Sequence, residues 1–178
     1  MKPQIVAFEA AGWHNADPTK SKDRLLRGGS YRNQSTVCII PSLGAIHPKV
    51  VGAWMAMLTP MNQKFLRLWP MNMEIGDAYS STIEGILADP ELSKWKYVLT
   101  LETDNIPPPD GLIRLLETIE GGVDGRKYDV VGSLYWTKGH GGQPMIYGNP
   151  GEFPLSFVPQ VPVPNAIQPC HGLGMGFT

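Results

Sequence analysis

Apolar runs typical of strands alternate with longer segments of helical periodicity from residue 36 onward. Runs rich in β-branched and aromatic residues predict four strands, at 36–40, 65–69, 97–101 and 129–135. Apolar residues recurring every three or four positions predict three helices, beginning near Pro48, Asp77 and Asp110. Because strand and helix alternate three times, we expect an α/β domain with a mostly parallel central sheet and helices on both faces.

The sequence also predicts how these helices begin and which faces they bury. Pro48 suits the first turn of a helix, whereas Asp77 and Asp110 suit the N-cap position, where a carboxylate accepts backbone N–H groups. In the first helix the apolar residues that share one face are predicted to be buried: Val50, Val51, Trp54, Met55 and Leu58.

The regular pattern divides the chain into two parts. Residues 1–35 are predicted to be an irregular N-terminal leader, since the polar stretch 12–35 shows neither the period of a strand nor that of a helix. Residues 36–178 are predicted to form the folded domain. Its last residues, 170–178, are apolar and glycine-spaced, which is an unusual natural end, so we expect the domain to be truncated there and to continue beyond residue 178.

Composition and charge narrow the class of partner. The 178 residues carry a formal net charge of -1 and only 17% are charged, so no strong field attracts nucleic acid or an anionic membrane. Cys38 and Cys170 are too few for a disulfide framework and fit a reducing compartment. The first residues lack the apolar core of a signal peptide, and no stretch is long enough to span a membrane, so we predict a cytoplasmic protein.

Two carboxylates follow the strand predicted at 97–101, which its composition marks as central and buried. Glu102 and Asp104 are two positions apart and therefore point the same way where the strand leaves the sheet. Ligands of open α/β sheets collect at that edge, and a hard divalent cation commonly uses one or two carboxylates together with substrate phosphates. The alternative is an acidic turn that caps the next helix, although Asp110 already suits that role.

Several segments in order along the chain resemble the family 2 glycosyltransferases with the GT-A fold. Glu102-Thr103-Asp104-Asn105 after a strand resembles their Asp-x-Asp region, and the resemblance extends over about 36–178. The segments that carry it are Pro41-Ser42, Pro60-Met61-Asn62-Gln63, Ile75-Gly76-Asp77-Ala78-Tyr79, Val131-Gly132-Ser133-Leu134-Tyr135 and Gly174-Met175-Gly176-Phe177. The resemblance implies a Rossmann-like, three-layer GT-A sandwich and transfer of a sugar from a nucleotide-diphosphate donor to an acceptor hydroxyl.

The same resemblance assigns expected roles to individual residues. Asp104 is expected to bind Mn²⁺ or Mg²⁺, which holds the diphosphate of a UDP- or GDP-sugar. Glu102 is expected nearer the ribose or to reach the metal through water, and Pro41, Ser42 and Thr103 complete the nucleotide site. A cation at that position acts as a Lewis acid for the departing diphosphate.

Two features depart from the family. Where the family often has Ala-Arg-Asn, this chain has Ala78-Tyr79-Ser80, which removes a cation near the nucleotide. Tyr79 could stack on a base, but its place in the helical stripe favours packing in the core. The catalytic base of inverting members lies in a segment after Gly-x-Gly-Phe, so it is expected beyond residue 178. Inversion is an expectation from the family alone.

Other polar and aromatic side chains could contribute to such a site. Tyr135 and Trp136 could form a sugar platform or end a core strand, and His171 could touch the acceptor or occupy an ordinary loop. The Gly-rich loop after Trp136 could meet phosphate or acceptor hydroxyls. A solvated loop is nevertheless the favoured interpretation of its polar members: Lys138, His140 and Gln143.

Two other functions remain open, and three are excluded by missing motifs. A non-catalytic GT-A-like binding or assembly module would keep the fold without the base. A sugar nucleotidyltransferase would normally carry a Gly-rich, basic loop after the first strand, and 42–45 has no cation. The chain lacks Gly-x-Ser-x-Gly around Ser42, a phosphate-binding loop and a dinucleotide fingerprint, which argues against hydrolase, kinase and dehydrogenase functions.

Overall fold

The computed structural model describes residues 34–61 and 63–178, so the predicted leader lies outside the described residues up to residue 33. The elements are β1 (Thr36–Ile39), α1 (Pro48–Ala56), β2 (Phe65–Leu68), α2 (Ile75–Ala88), a 3-10 turn (Leu92–Lys94), β3 (Tyr97–Thr100), α3 (Gly111–Ile119), β4 (Ile146–Tyr147) and β5 (Gly172–Leu173). The first three predicted strands are confirmed, each ending slightly earlier than predicted. The three predicted helices are confirmed as well.

The main sheet is parallel and has the strand order β2-β1-β3. Thr36 lies opposite Phe65 on one side and Tyr97 on the other, so β1 is the central strand. The strand predicted to be central, at 97–101, is β3, which lies beside β1 and is not the middle strand of these three. Its predicted burial is confirmed for Leu99, Thr100 and Leu101, whereas Val98 is 46% exposed. The chain runs from β1 to β2 on one side and then crosses to β3 on the other, so the strand order reverses between β1 and β3.

Alternate residues of β1 face two different hydrophobic clusters, as the period of a strand requires. Cys38 and Ile40 pack in a cluster with residues of α1 and α3. Val37 and Ile39 pack with residues of α2 on the opposite face. The described residues therefore form a mixed α/β fold whose parallel sheet is covered by helices on both faces, as predicted.

The strand predicted at 129–135 is not formed, and a later segment takes its place beside β3. The backbone N–H of Thr100 donates to Thr178 O at 2.7 Å, and Leu101 pairs antiparallel with Phe177. Residues 131–135 lie one position further out, where Ser133 N–H donates to Phe177 O at 3.0 Å. Phe177 is only 2% exposed. Burying its ring against the core stabilises residues 176–178, the end segment, in the place beside β3.

Helix starts follow the predictions in part. Pro48 occupies the first turn of α1 as predicted. The prediction for Asp77 was wrong, because Glu74 is the N-cap of α2 and its carboxylate accepts two first-turn N–H groups. Asp110 is at the N-cap position of α3, but its fully buried carboxylate accepts from Arg114 Nε at 2.7 Å and does not cap the backbone.

The buried face of α1 is rotated by about one residue from the predicted one. Three residues of α1 are buried together with its C-terminal cap, Met57: Val50, Ala53 and Trp54. Val51 is 39% exposed and Met55 is 84% exposed, so the prediction that both are buried was wrong. Small Ala53 lies in the buried stripe 50–53–54–57. This stripe has the three- and four-residue spacing of a helix face, as the predicted stripe does. Across the described ranges, no helix has the length and apolar character needed to cross a bilayer.

Candidate ligand site at the carboxyl ends of β1 and β3

The turn after β1 forms one wall of the candidate site. Ser42 N–H donates to Pro70 O at 3.0 Å, and Asn72 N–H donates to Ser42 O at 2.9 Å, which continues the β1–β2 pairing beyond both strands. The Ser42 hydroxyl accepts the backbone N–H of Gly44 at 3.0 Å. Ser42 and the adjoining Pro41 therefore form a firm turn at the end of the central strand, where the sequence placed them.

The turn after β3 forms the other wall and carries the acid pair. Glu102 N–H donates to Gly176 O at 3.0 Å, and Asn105 N–H closes a tight turn on Glu102 O at 3.1 Å with Thr103 and Asp104 at its centre. Trp54 of α1 donates its indole N–H to Asn105 O at 3.3 Å. The turn is thus held by the neighbouring end segment on one side and by α1 on the other.

The two carboxylates interact electrostatically. Glu102 is partly buried, whereas 45% of the Asp104 side chain is exposed. Burial raises the pKa of the Glu102 carboxyl, the nearby Asp104 carboxylate raises it further, and Lys138 opposes both effects. Two like charges held together in this way favour a cation beside them.

A cation does reach this acid pair from a distant part of the sequence. Lys138 Nζ lies 2.6 Å from Asp104 Oδ2, although its side chain remains 80% exposed. The favoured interpretation of Lys138 as a solvated loop residue was therefore incomplete. Sequence reasoning missed the contact because 34 positions separate the partners, and the available signal was only a lysine in a Gly-rich loop near the sheet edge.

The late glycines fit under the same edge of the sheet. Gly176 N–H donates to the Tyr135 hydroxyl at 2.7 Å. A Cβ atom at Gly174 would overlap that hydroxyl, and one at Gly176 would overlap Asn105 Nδ2. Close backbone approach explains the glycine spacing, and the Tyr135 hydroxyl serves this packing.

Tyr79 lies in the core as predicted, packed with Val37, Ile39 and Ile86. Its hydroxyl is buried and has no hydrogen-bond partner within the described part of the chain. Burial raises the pKa of the Tyr79 phenol, and the carboxylate of Glu102 adds to the rise. Tyr79 is therefore a core residue whose phenol lies close enough to Glu102 to feel its charge.

The remaining candidates lie outside this cluster. His171 belongs to the β4–β5 pair, where its backbone N–H donates to Tyr147 O at 2.8 Å. His140 is exposed in the loop, and Trp136 pairs across a hairpin with Pro144 while remaining 51% exposed. The described contacts connect none of these three rings with the acid pair.

The donor set suits one kind of metal binding and not another. Among residues 34–61 and 63–178, no group of three or more His, Cys, Asp and Glu side chains could enclose a metal ion. Mg²⁺ and similar ions instead use one or two carboxylates and take further ligands from water and phosphate. Asp104 and Glu102 fit that open arrangement, and the Lys138 ammonium already places positive charge on the exposed Asp104 oxygen.

Comparisons with protein-family models, with curated proteins and with solved structures found no match to this chain. The two walls of the candidate site follow β1 and β3, between which the strand order reverses. In open α/β sheets the crevice at such a reversal is where ligands bind.

Proposed function

We propose that this chain is a GT-A-like glycosyltransferase domain that binds a UDP- or GDP-sugar together with Mn²⁺ or Mg²⁺ and transfers the sugar to an acceptor hydroxyl. One observation carries the proposal: an acid pair with an exposed carboxylate lies at the reversal of strand order, beside the Ser42 turn. This supports the proposal, because ligands of open α/β sheets bind at such a reversal and a cation that carries phosphate commonly uses one or two carboxylates.

The residues have distinct roles in the proposal. Asp104, the more exposed acid, contacts the cation directly, and Glu102 contacts it through water or receives the ribose. Pro41, Ser42 and Thr103 line the nucleotide. A bound cation would neutralise the charge that develops on the leaving diphosphate. The firm turns around these residues provide the orientation on which such catalysis depends, because they need little rearrangement when the ligand arrives.

Calorimetric titration of the chain with UDP and with GDP, each with and without Mn²⁺, tests the proposal. We expect binding of one nucleotide that depends on Mn²⁺ and weakens at least about ten-fold in Asp104→Asn, since a charged ligand to the cation is lost. Glu84→Gln is the matched control, because it removes one carboxylate from the exposed surface of α2 and should leave the affinity unchanged.

The outcomes separate the candidate functions. Failure of the folded chain to bind either nucleotide contradicts the proposal and favours a non-catalytic module. Nucleotide binding that is insensitive to both Mn²⁺ and Asp104→Asn contradicts the assigned metal site. Metal-dependent binding followed by slow release of free sugar from a UDP- or GDP-sugar supports the transferase, because donor hydrolysis needs the same leaving-group stabilisation.

A further inference from the structure

The loop that carries Lys138 stands on a well-anchored hairpin. Thr137 N–H donates to Gln143 O at 2.9 Å, and Gln143 N–H donates to the Thr137 hydroxyl at 2.8 Å. Below this pair, Met145 N–H donates to Tyr135 O at 2.9 Å, and Tyr135 is itself fixed to Gly176. The backbone of Lys138 is therefore held at a defined place beside the acid pair.

The tip of the loop, by contrast, is open. Gly139 and Gly141 have φ values of 110° and 73°, a conformation that L side chains rarely adopt. A Cβ atom at either position would meet nothing within 4 Å, so these glycines serve the bend of the chain and not its packing. The Lys138 side chain reaches Asp104 while remaining 80% exposed, so solvent and not packed protein surrounds most of it.

The ion pair between Lys138 and Asp104 is easily exchanged. With 80% of the lysine and 45% of the aspartate side chain exposed, such a pair contributes little to stability and is readily broken. A divalent cation on Asp104 would repel the ammonium from its place 2.6 Å from Oδ2. A phosphate brought by that cation would offer the displaced ammonium anionic oxygens within the reach of the same flexible side chain.

We propose that Lys138 is a phosphate-binding residue with two positions: it lies on Asp104 in the free protein and moves to the diphosphate when a divalent cation occupies Asp104. This inference rests on the proposed donor site and adds a ligand contact that the acid pair cannot supply. It predicts effects of opposite sign on two ligands, because the lysine competes with the metal but assists the anion.

Lys138→Met tests this, with Lys127→Met as the matched control, an exposed lysine in the segment after α3. Free Mn²⁺ is followed by electron paramagnetic resonance in titrations without nucleotide, and UDP and GDP binding at saturating Mn²⁺ by calorimetry. In Lys138→Met we expect Mn²⁺ alone to bind about two- to five-fold more tightly, since the competing ammonium is gone. The nucleotide that the wild type prefers should bind about ten-fold more weakly, since a charge-assisted contact is lost.

Further variants distinguish the role of Lys138 from the existence of the donor site. Lys138→Arg should retain most of the nucleotide affinity, and Lys127→Met should leave the affinities for Mn²⁺ and for nucleotide unchanged. If Lys138→Met leaves nucleotide affinity unchanged while Asp104→Asn abolishes it, the donor site stands and the role of Lys138 is overturned. Weaker binding of Mn²⁺ alone in Lys138→Met also overturns it. A wild type that binds neither Mn²⁺ nor nucleotide overturns both proposals.

Discussion

The hydroxyl of Tyr135 accepts the backbone N–H of Gly176 at 2.7 Å and so joins two segments 41 positions apart. Gly176 O in turn accepts the backbone N–H of Glu102, the first residue of the acid turn. The stem of the Lys138 loop, the end segment and the acid pair are therefore connected through two consecutive hydrogen bonds. The geometry of the candidate site depends on the close approach that the missing side chain of Gly176 permits.

Gly176→Ala should destabilise the fold. The new methyl group would lie 2.6 Å from Tyr135 Cζ and would also overlap the Asn105 amide, so the end segment must move away from β3. Overpacking of this kind costs about 1–3 kcal/mol. Urea unfolding followed by circular dichroism measures the change, and an unchanged midpoint would contradict the packing described for the end segment.

Gly85→Ala is the matched control for that substitution and should act in the opposite direction. Gly85 lies inside α2, and a Cβ atom there would meet nothing within 4 Å. Alanine is preferred over glycine in helix interiors by about 0.5–1 kcal/mol, so this variant should unfold at higher urea concentration than the wild type. Destabilisation by both variants would point to a general intolerance of alanine and not to the contact at Gly176.

Removing the hydroxyl groups of two tyrosines should give contrasting results. Tyr135→Phe leaves the buried N–H of Gly176 without its acceptor, which costs about 1–3 kcal/mol. Tyr79→Phe removes a buried hydroxyl that has no partner among the described residues, so the free energy of unfolding should stay the same or rise. Urea unfolding of both variants checks this, and a loss of stability in Tyr79→Phe alone would contradict both assignments.

The sequence was sufficient where local pattern and burial agree. The strands around Cys38, Leu66 and Leu99 are short apolar runs between turn residues, and their alternation with helices sets a parallel sheet without further information. The acid pair was also predictable, because Glu102 and Asp104 directly follow a strand. Their position at the reversal of strand order was not predictable, because the sequence does not reveal on which side of β1 each later strand is placed.

The sequence was insufficient where contacts between distant segments decide the outcome. Residues 129–135 have the β-branched pattern of a strand, but Phe177 occupies the place beside β3 with its side chain only 2% exposed. The pairing of Lys138 with Asp104 depends on how one hairpin is seated on Tyr135 and Gly176. Neither outcome leaves a local signal, because each arises from packing between segments more than 30 positions apart.

Glu120 should make stability depend on pH in the acid range. Lys96 and the hydroxyl of Tyr97 both donate to its Oε1, and these hydrogen bonds hold the pKa of the Glu120 carboxyl below its usual value of 4.5. A lowered folded-state pKa stabilises the fold above the unfolded value, and this contribution is lost as the pH falls through the lowered pKa. The contact joins the end of α3 to the start of β3.

Glu120→Gln should therefore be less stable than the wild type at pH 7, by about 1 kcal/mol, and the difference should shrink toward pH 3. Urea unfolding at several pH values measures it. Glu84→Gln, an exposed charge loss on α2, should differ little from the wild type at either pH. A constant difference between Glu120→Gln and the wild type across the range would show that the carboxylate charge does not contribute.

Thiol labelling should show that the Cys38 side chain of β1 is sealed in the core. Cys38 has no exposed surface, and burial raises the pKa of its thiol to about 12, an effect that Arg67 partly offsets. The reactive thiolate is therefore scarce at pH 8 and inaccessible. In a Cys170→Ala variant, which leaves Cys38 as the single thiol, we expect Ellman's reagent to react at the rate of unfolding and immediately in 8 M urea. Prompt labelling without denaturant would contradict the burial of Cys38 in the core cluster between the sheet, α1 and α3.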